Sequence, residues 1–528
     1  MKFYRSHIIL GMDTPSLLAG AKGVRDTLEK ELKAKKIENE IRIVETGSLG
    51  YHGVSMIVYP EGVTYTGITA SDVKELVEEH LIKGRPVRRL MAEDNSQKDI
   101  CAGQQERLLD GQVRIVLKNA GSIDPENISE YIAKDGYMAL GKVLAENTPK
   151  DVIDIVKDSE LRGRGGAAFP TGKKWEFTYN TESCQKYVIC NADEGEPGTF
   201  KDRLIMEGDP HALLEAMAIC GYAIGADKGF IYVRGEYSLS IERVKKAIKD
   251  AEALNLLGKN ILNSDFSFEI EVCLGGGAYV CGEETALIES IEGKRGEPRL
   301  KPPYPPVCGL FGKPTIVNNV ETFANIPQII LNGGEWFKKL GVQGSAGTKV
   351  FTILGDINEK GLIEVPMGIT LKEVFENIAK GTRSGKKVKF AHIGGSSGNI
   401  VPFKDFDIKL DLNTLASSDL THGSGVILFV SEDIHINDYL KSIAKFFQHE
   451  SCGKCTPCRE GTFRIYQFME KLNRNQAKKS DIAKMKDLCM VMKKASFCGL
   501  GQAAVNPFID AMRHFEKEMM EGVKEGER

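Results

Sequence analysis

The chain has no apolar run of about 18 residues, the length a bilayer-crossing helix needs. The nearest approach, residues 212–226, is interrupted by Glu215. A membrane span is therefore not expected, and any membrane contact would come through a partner. The N-terminus lacks an apolar core followed by a small-residue cleavage site, so no signal peptide is expected and the chain reads as cytoplasmic. Neither sign of charge is in marked excess: 70 Lys and Arg stand against 73 Asp and Glu, a net −3. That balance argues against a dedicated nucleic-acid or membrane-surface binder. Internal repeats and low-complexity tracts are absent too. What remains is ordinary globular material, 42% hydrophobic and 27% charged over 528 residues, enough for about three or four domains.

In a chain that is not exported, twelve cysteines should be thiols or metal ligands rather than disulfides. Cys101, Cys184, Cys190, Cys220, Cys273, Cys281, Cys308 and Cys489 are scattered singly and read as small buried side chains. Cys452-x-x-Cys455-x-x-Cys458 breaks that pattern. Two successive C-x-x-C spacings let three thiolates converge on one inorganic cluster, and a [4Fe–4S] cluster needs a fourth ligand. The nearby Cys-Pro of bacterial ferredoxins is missing. Cys498, between Phe497 and Gly499, is the leading candidate and Cys489 the alternative. Zinc, which favours two separated pairs, and a redox disulfide are the competing readings.

Along the chain, residues 1–92 read as a small α/β unit. It has strands near 8–10 and 41–44, a helix over about 15–35, a hairpin at 55–59 and 63–65, and a helix capped by Ser71. Residues 93–145 read as a linker or arm. Thr148-Pro149-Lys150-Asp151 is a capping box with Pro at the first helical position. Strands near 187–190, 230–233 and 268–272 then alternate with helices, which implies a mainly parallel sheet covered by helices over 146–345. A compact β-rich module follows over 346–425, and residues 426–528 read as a helical bundle.

Three loops carry polar chemistry. Leu161-Arg-Gly-Arg-Gly-Gly-Ala-Ala-Phe-Pro170 combines glycines with arginines, the composition of an anion- or cofactor-binding loop. Gly163-x-Gly165-x-x-Ala168 formally fits the dinucleotide fingerprint, but a helix precedes it where that motif needs a strand. Asn191-Ala-Asp193-Glu194-Gly-Glu196 follows a strand, the place where open α/β sheets bind ligands; its carboxylates and amide suit ribityl hydroxyls or a nicotinamide amide. Gly275-Gly-Gly-Ala-Tyr279-Val-Cys-Gly282-Glu283-Glu284 also follows a strand.

Taken in order over about residues 120–520, L-R-G-R-G-G, N-A-D-E-x-E-P-G, Y-x-C-G-E-E-T, K-P-P-Y-P, V-N-N-V-E-T and S-C-G-K-C-x-P-C-R closely resemble the flavin- and NADH-binding subunit of respiratory complex I. They equally resemble its relatives in NAD-linked and bifurcating hydrogenases, formate dehydrogenases and transhydrogenases. The resemblance implies an α/β, multidomain chain: a thioredoxin-like N-terminal domain, a Rossmann-like FMN/NAD domain, a ubiquitin-like (SLBB) β-grasp module and a C-terminal helical bundle holding a [4Fe–4S] cluster. It implies FMN contacts at Gly163, Arg164, Gly165, Lys174, Asn191, Asp193, Glu194, Tyr279, Gly282, Glu283, Val317, Asn318, Asn319 and Thr322. Phe169, Phe177 and Tyr304 would flank the adenine of NAD(H), and Lys301 its phosphates. The candidate catalytic carboxylates are Glu196, at the nicotinamide end, and Glu284, beside the adenosine ribose, where it would repel a 2′-phosphate and favour NAD(H) over NADP(H). The cluster ligands would be Cys452, Cys455, Cys458 and Cys498.

The function so implied is electron input to a multisubunit NAD(P)-dependent oxidoreductase: hydride transfer between NAD(H) and FMN, then single electrons to the cluster and to partners. Those partners would be iron–sulfur subunits, a small thioredoxin-like [2Fe–2S] subunit and a catalytic subunit among them. Electron bifurcation is an expectation carried by the bifurcating relatives alone. The N-terminal unit resembles a [2Fe–2S] ferredoxin, yet Gly11 or Met12, Ser16, Ser48 and His52 stand where its cysteines should fall. A docking scaffold without a cluster is expected there. The ferredoxin module that often follows the bundle in hydrogenase subunits is not expected, which points toward a transhydrogenase-like or formate-linked assembly, or another bifurcating assembly with its clusters on partners. The runner-up is a cluster-bearing docking subunit that has lost its flavin chemistry.

Overall fold

The computed structural model describes residues 4–51, 53–92 and 112–524. Residues 93–111 of the expected arm, Cys101 among them, lie outside the described residues, as does His52. Among the described residues no helix is long and apolar enough to cross a membrane.

The N-terminal unit is a four-stranded sheet, order β2-β1-β3-β4. Strand β1 (Ser6–Gly11) runs parallel to β2 (Ile41–Thr46) and antiparallel to β3 (Met56–Tyr59), and β3 pairs with β4 (Val63–Tyr65) as the expected hairpin. The helix expected over 15–35 is two: Thr14–Leu18 and Ala21–Ala34. Gly20, with φ of 102°, separates them in a conformation that side chains disfavour. Ser71 caps nothing; the cap position falls to Asp72.

The central sheet is fully parallel, order β7-β6-β5-β8: β5 (Tyr187–Ala192), β6 (Lys228–Arg234), β7 (Glu269–Gly275) and β8 (Thr315–Asn319). Side chains alternate between its faces. Val188, Cys190, Ile231, Val233 and Ile316 enter a core built by helices; Ile189, Phe230, Tyr232 and Val317 face a second core shared with the C-terminal bundle. Burial of both faces gives the two inner strands, β5 and β6, near-continuous apolar runs. The apolar run around Glu215 is the helix Pro210–Ile224, buried under the sheet; Glu215 accepts hydrogen bonds from the Tyr131 hydroxyl (2.6 Å) and the Leu140 N–H (3.1 Å). Residues 112–145 are no free arm: Ile115, Val116, Leu117, Tyr131 and Tyr137 are buried in this same core.

The β-rich module has strand order β10-β9-β13-β11-β12, from β9 (Thr348–Gly355), β10 (Gly361–Pro366), β11 (Val388–Ile393), β12 (Asn399–Pro402) and β13 (Val426–Ser431). Strand β13 lies parallel to β9 and antiparallel to β11 at the centre of the sheet. This corrects the expected boundary at residue 425: the chain leaves the module's edge, turns through Gly423 and Gly425, and returns as its central strand. Helices Ile436–Glu450, Thr456–Asn473, Lys479–Ala495 and Asn506–His514 complete the bundle.

Candidate functional site

Strands β5 and β8 adjoin at the point where the chain connections switch sides, the position where open α/β sheets place ligands in a crevice beyond the strand ends. The Gly-rich loop closes over it. The Gly163 N–H donates to the Phe169 carbonyl and the Thr171 N–H to that of Leu161, both at 2.9 Å. Gly165 lies so close to Asn319 that a Cβ would sit 3.0 Å from the Asn319 Cβ; only glycine lets the loop approach there. Arg164 departs from expectation in its side chain. Its N–H donates to Thr322 Oγ1 (2.8 Å), but its guanidinium turns inward and donates to the Ala346 carbonyl (2.7 Å), 1% exposed. It joins a buried ion cluster that sequence reading missed: Lys201 with Asp202 (2.6 Å) and Glu321 (3.1 Å), and Lys349 with Glu321 (2.6 Å). Burial pulls Lys349 down to about 8 against the opposing pull of Glu321. Asn319 ties this cluster to the crevice, donating to Asp202 (2.7 Å) and accepting from Lys201 (3.2 Å).

Several predicted residues meet at the strand ends. Asn191 donates to the Gly282 carbonyl (2.8 Å) and accepts from the Asp193 N–H (3.2 Å). Asp193 is 6% exposed, and neither carboxyl oxygen has a partner. Burial, reinforced by Glu236 and Glu450 and opposed by Arg234, lifts its carboxyl to about 7. Buried carboxylates are rarely left so; donor hydroxyls of a bound cofactor fit the gap. Glu194 instead works for the fold. It accepts from the Asp202 and Arg203 N–H groups at 3.0 Å, capping the helix Lys201–Gly208. Asn318 likewise accepts from the Trp175 indole (3.1 Å). Glu196 accepts from the Tyr279 hydroxyl (2.7 Å) and from the Ser396 N–H, in a pocket that raises its carboxyl by burial.

A charged group forms the other wall. Lys174 donates to Glu284 (2.8 Å) and to the Val317 carbonyl (2.8 Å); Lys301 donates to Glu283 (2.7 Å) and Glu284 (3.0 Å). Burial pushes the Glu284 carboxyl up, but Lys174 and Lys301 overcome it and hold it at about 2. Phe169, Phe177 and Tyr304 are 48%, 52% and 56% exposed, aromatic faces open to a stacking ligand.

The four predicted cysteines line one pocket with Val280, Pro298, Phe497 and Leu500. Cys455 stands at the N-cap of Thr456–Asn473, and Cys498 follows closely on Lys479–Ala495, so a helical hairpin returns the fourth thiol to the other three. Cys489 is fully buried in the hairpin, outside that lining. Ser451 Oγ lies 3.3 Å from Cys458 Sγ, and the Phe497 N–H donates to Cys455 Sγ at 3.5 Å. Burial lifts the Cys458 thiol to about 11, so thiolates here need a cationic centre beside them. Among the described residues no three Cys, His, Asp or Glu side chains surround a single-ion position; an all-thiol ring around a wider apolar pocket suits a polynuclear cluster. The crevice and this pocket share a wall. Tyr279 reaches Glu196 while Val280 lines the thiols, and the Tyr279 N–H donates to Glu450 (3.0 Å), two residues before Cys452. Glu450, Lys349 and Ser396 were missed because each is remote in sequence from the motif it serves.

The N-terminal unit meets the central domain through its would-be ligand loops. The Thr14 N–H and hydroxyl donate to Glu207 (3.0 and 2.6 Å), and Arg243 donates to the Met12 carbonyl (2.9 Å). Gly47 abuts the Gly208 backbone.

Two family profiles match: the Nuo51 FMN-binding domain over residues 156–328 and the NADH-ubiquinone oxidoreductase-F iron-sulfur binding region over 438–522. The NADP-reducing hydrogenase subunit HndC of Solidesulfovibrio fructosivorans is 51% identical, over 77% of this chain and 83% of that protein. The second F-type subunit of NADH-quinone oxidoreductase from Rhizobium meliloti (strain 1021) is 43% identical, over 78% and 98%. Among solved structures, an NAD+-reducing [NiFe]-hydrogenase in the H2-reduced state superposes with a TM-score of 0.70 at 29% identity, over 99% of this chain and 85% of that one.

Proposed function

The chain belongs to the family of F-type subunits of NADH-quinone oxidoreductase and their hydrogenase relatives, and from that membership we propose that it is the electron-input component of a multisubunit NAD-dependent oxidoreductase. Its cofactors are FMN, a [4Fe–4S] cluster and NAD(H). When bound, FMN accepts a hydride from NADH, and the cluster takes electrons singly toward partner subunits. The chain's own residues bind and orient. Asn191 and Asp193 would receive ribityl hydroxyls; the Gly163–Gly165 backbone would approach the flavin; Lys174 and Lys301 would face phosphate, with Glu284 between them. Glu196, fixed by Tyr279, would hold the carboxamide end of the nicotinamide. Cys452, Cys455, Cys458 and Cys498 would hold the cluster, with the shared wall at Tyr279–Val280 between it and the flavin. The N-terminal unit reads as a thioredoxin-like scaffold without a cluster, and the five-stranded module as ubiquitin-like.

The single observation that carries this reading is the orphaned, buried Asp193 carboxyl opening on a glycine-lined crevice beside a ring of four thiols. The test is direct. The purified full chain should be yellow, release FMN on denaturation and reduce ferricyanide or viologen with NADH. A colourless, inactive protein that still holds iron and sulfide would establish the docking alternative instead.

A further inference from the structure

We propose that the hairpin of helices Thr456–Asn473 and Lys479–Ala495 is a docking surface for a small acidic redox protein, which collects electrons from the cluster at its open end. The inference rests on the electron-input reading and adds the chemistry of the partner. Between Cys452 and Cys498, eleven Lys and Arg stand against four Asp and Glu, leaving 59 against 69 in the rest of the chain. A strongly basic segment is thus set in an acidic protein, along the hairpin whose open end carries the thiols. Only part of that charge is neutralised locally. Lys454 faces Glu297 (3.8 Å), Arg459 pairs with Glu460 (3.3 Å), Arg474 with Glu470 (3.5 Å) and Lys493 with Asp419 (3.1 Å). Lys484, Lys486 and Lys494 are exposed, and among the described residues none joins an ion pair.

The same hairpin exposes large apolar side chains: Phe463 (40%), Met490 (44%), Val491 (52%) and, next to Cys498, Phe497 (40%). Lys454 lies 5.6 Å from the centre of the Phe497 ring, so one cation and one apolar edge stand together over the cluster pocket. Apolar contacts within a charged rim make a transient protein interface, and opposite charge steers the partner to it, raising association rates by about 10- to 1,000-fold at low salt. A nucleic acid would use the lysines but not the apolar side chains; a second copy of this chain would bring its own basic hairpin.

The test uses the full chain with FMN and cluster, NADH as donor, and two protein acceptors as probes: rubredoxin, small and acidic, and cytochrome c, small and basic. Flavin bleaching by NADH is followed separately by stopped flow. The expected result is fast rubredoxin reduction that slows with added salt. In K484E/K486E/K494E it should fall about tenfold or more at low salt, with cytochrome c reduction increased and flavin bleaching unchanged. Unchanged rubredoxin rates, or rates indifferent to salt in the wild type, would overturn the proposal. So would self-association of the wild type that the triple variant abolishes. Failure of NADH to bleach the flavin of the wild type would instead overturn the electron-input reading and this inference with it.

Discussion

Replacing Asp193 with Asn tests the flavin site most sharply, because the consequence follows from one group's surroundings. The buried carboxyl, unpartnered, is raised from 3.8 to about 7. A carboxyl shifted up in the folded state is destabilising when ionised: a rise of that size corresponds to about 4 kcal/mol, a penalty absent below pH 3.8 and fully present above pH 7. Hydroxyl donors from FMN would remove that penalty and bind the ionised form. The wild type should therefore bind FMN tightly at pH 8, with about a tenth of the sites ionised at pH 6 and about a hundredth at pH 5. Asn keeps the shape but gives up a charge-assisted bond, about 1.5–3 kcal/mol or roughly ten- to hundredfold in affinity. FMN's own phosphate titrates near pH 6 in both proteins, so the ratio of the two affinities carries the test. Fluorescence titration of the deflavinated full chain should give a ratio of about ten to one hundred at pH 8, falling to about unity at pH 5. A ratio independent of pH would refute the assignment and move the titrating charge to Glu194 or Glu196.

Three further outcomes are expected. Glu284→Ala frees Lys174 and Lys301 from a carboxylate held at about 2 and should raise the NADPH-to-NADH ratio of kcat/KM by about tenfold or more; the relative HndC is named as part of an NADP-reducing enzyme, and an unchanged ratio would locate the preference elsewhere. Cys498→Ser should abolish the [4Fe–4S] signal in electron paramagnetic resonance while NADH still bleaches the flavin, whereas Cys489→Ser should leave both intact; a cluster retained without Cys498 would make another residue the fourth ligand. Glu207→Ala removes the acceptor of both Thr14 bonds, about 2–3 kcal/mol, and should speed limited proteolysis between the N-terminal unit and the rest without altering any iron–sulfur signal; a [2Fe–2S] signal from that unit would contradict its reading as a scaffold.

The elements most legible in the sequence were those with local causes. Thr148-Pro149-Lys150-Asp151 forms its capping box in full, and the run 187–192 forms a strand because both its faces are buried. Cys452, Cys455 and Cys458, grouped by their spacing, line one pocket. Elements with distant causes were less legible. Strand β8 was hidden inside what read only as a cofactor motif, since Asn318 and Asn319 end a strand of just five residues. Strand β13 lies beyond a Gly-rich turn that looked like a boundary, and its partners β9 and β11 begin 78 and 38 residues earlier. Gly20 breaks a helix whose apolar spacing continues through it.

Arg164 shows why a motif can be read correctly and its side chain misplaced. A guanidinium next to three glycines suggests an anion at the loop surface. Yet the loop's close approach to Asn319 uses the glycines, and the arginine side chain leaves the loop for the Ala346 carbonyl and the field of Glu321 and Glu364. Tyr279 and Val280 carry the same lesson further. One residue faces the crevice and the next faces the thiols, so a single backbone step separates the walls of the two sites, and Glu450 secures that step from the end of the helix that leads into Cys452. Both motifs could be read from spacing, but their shared wall could not, because it depends on the packing of the bundle against the outer face of the parallel sheet. An electron passing from a flavin in the crevice to a cluster on the thiols would cross that wall, and Phe446 and Phe447 pack against Tyr279 there.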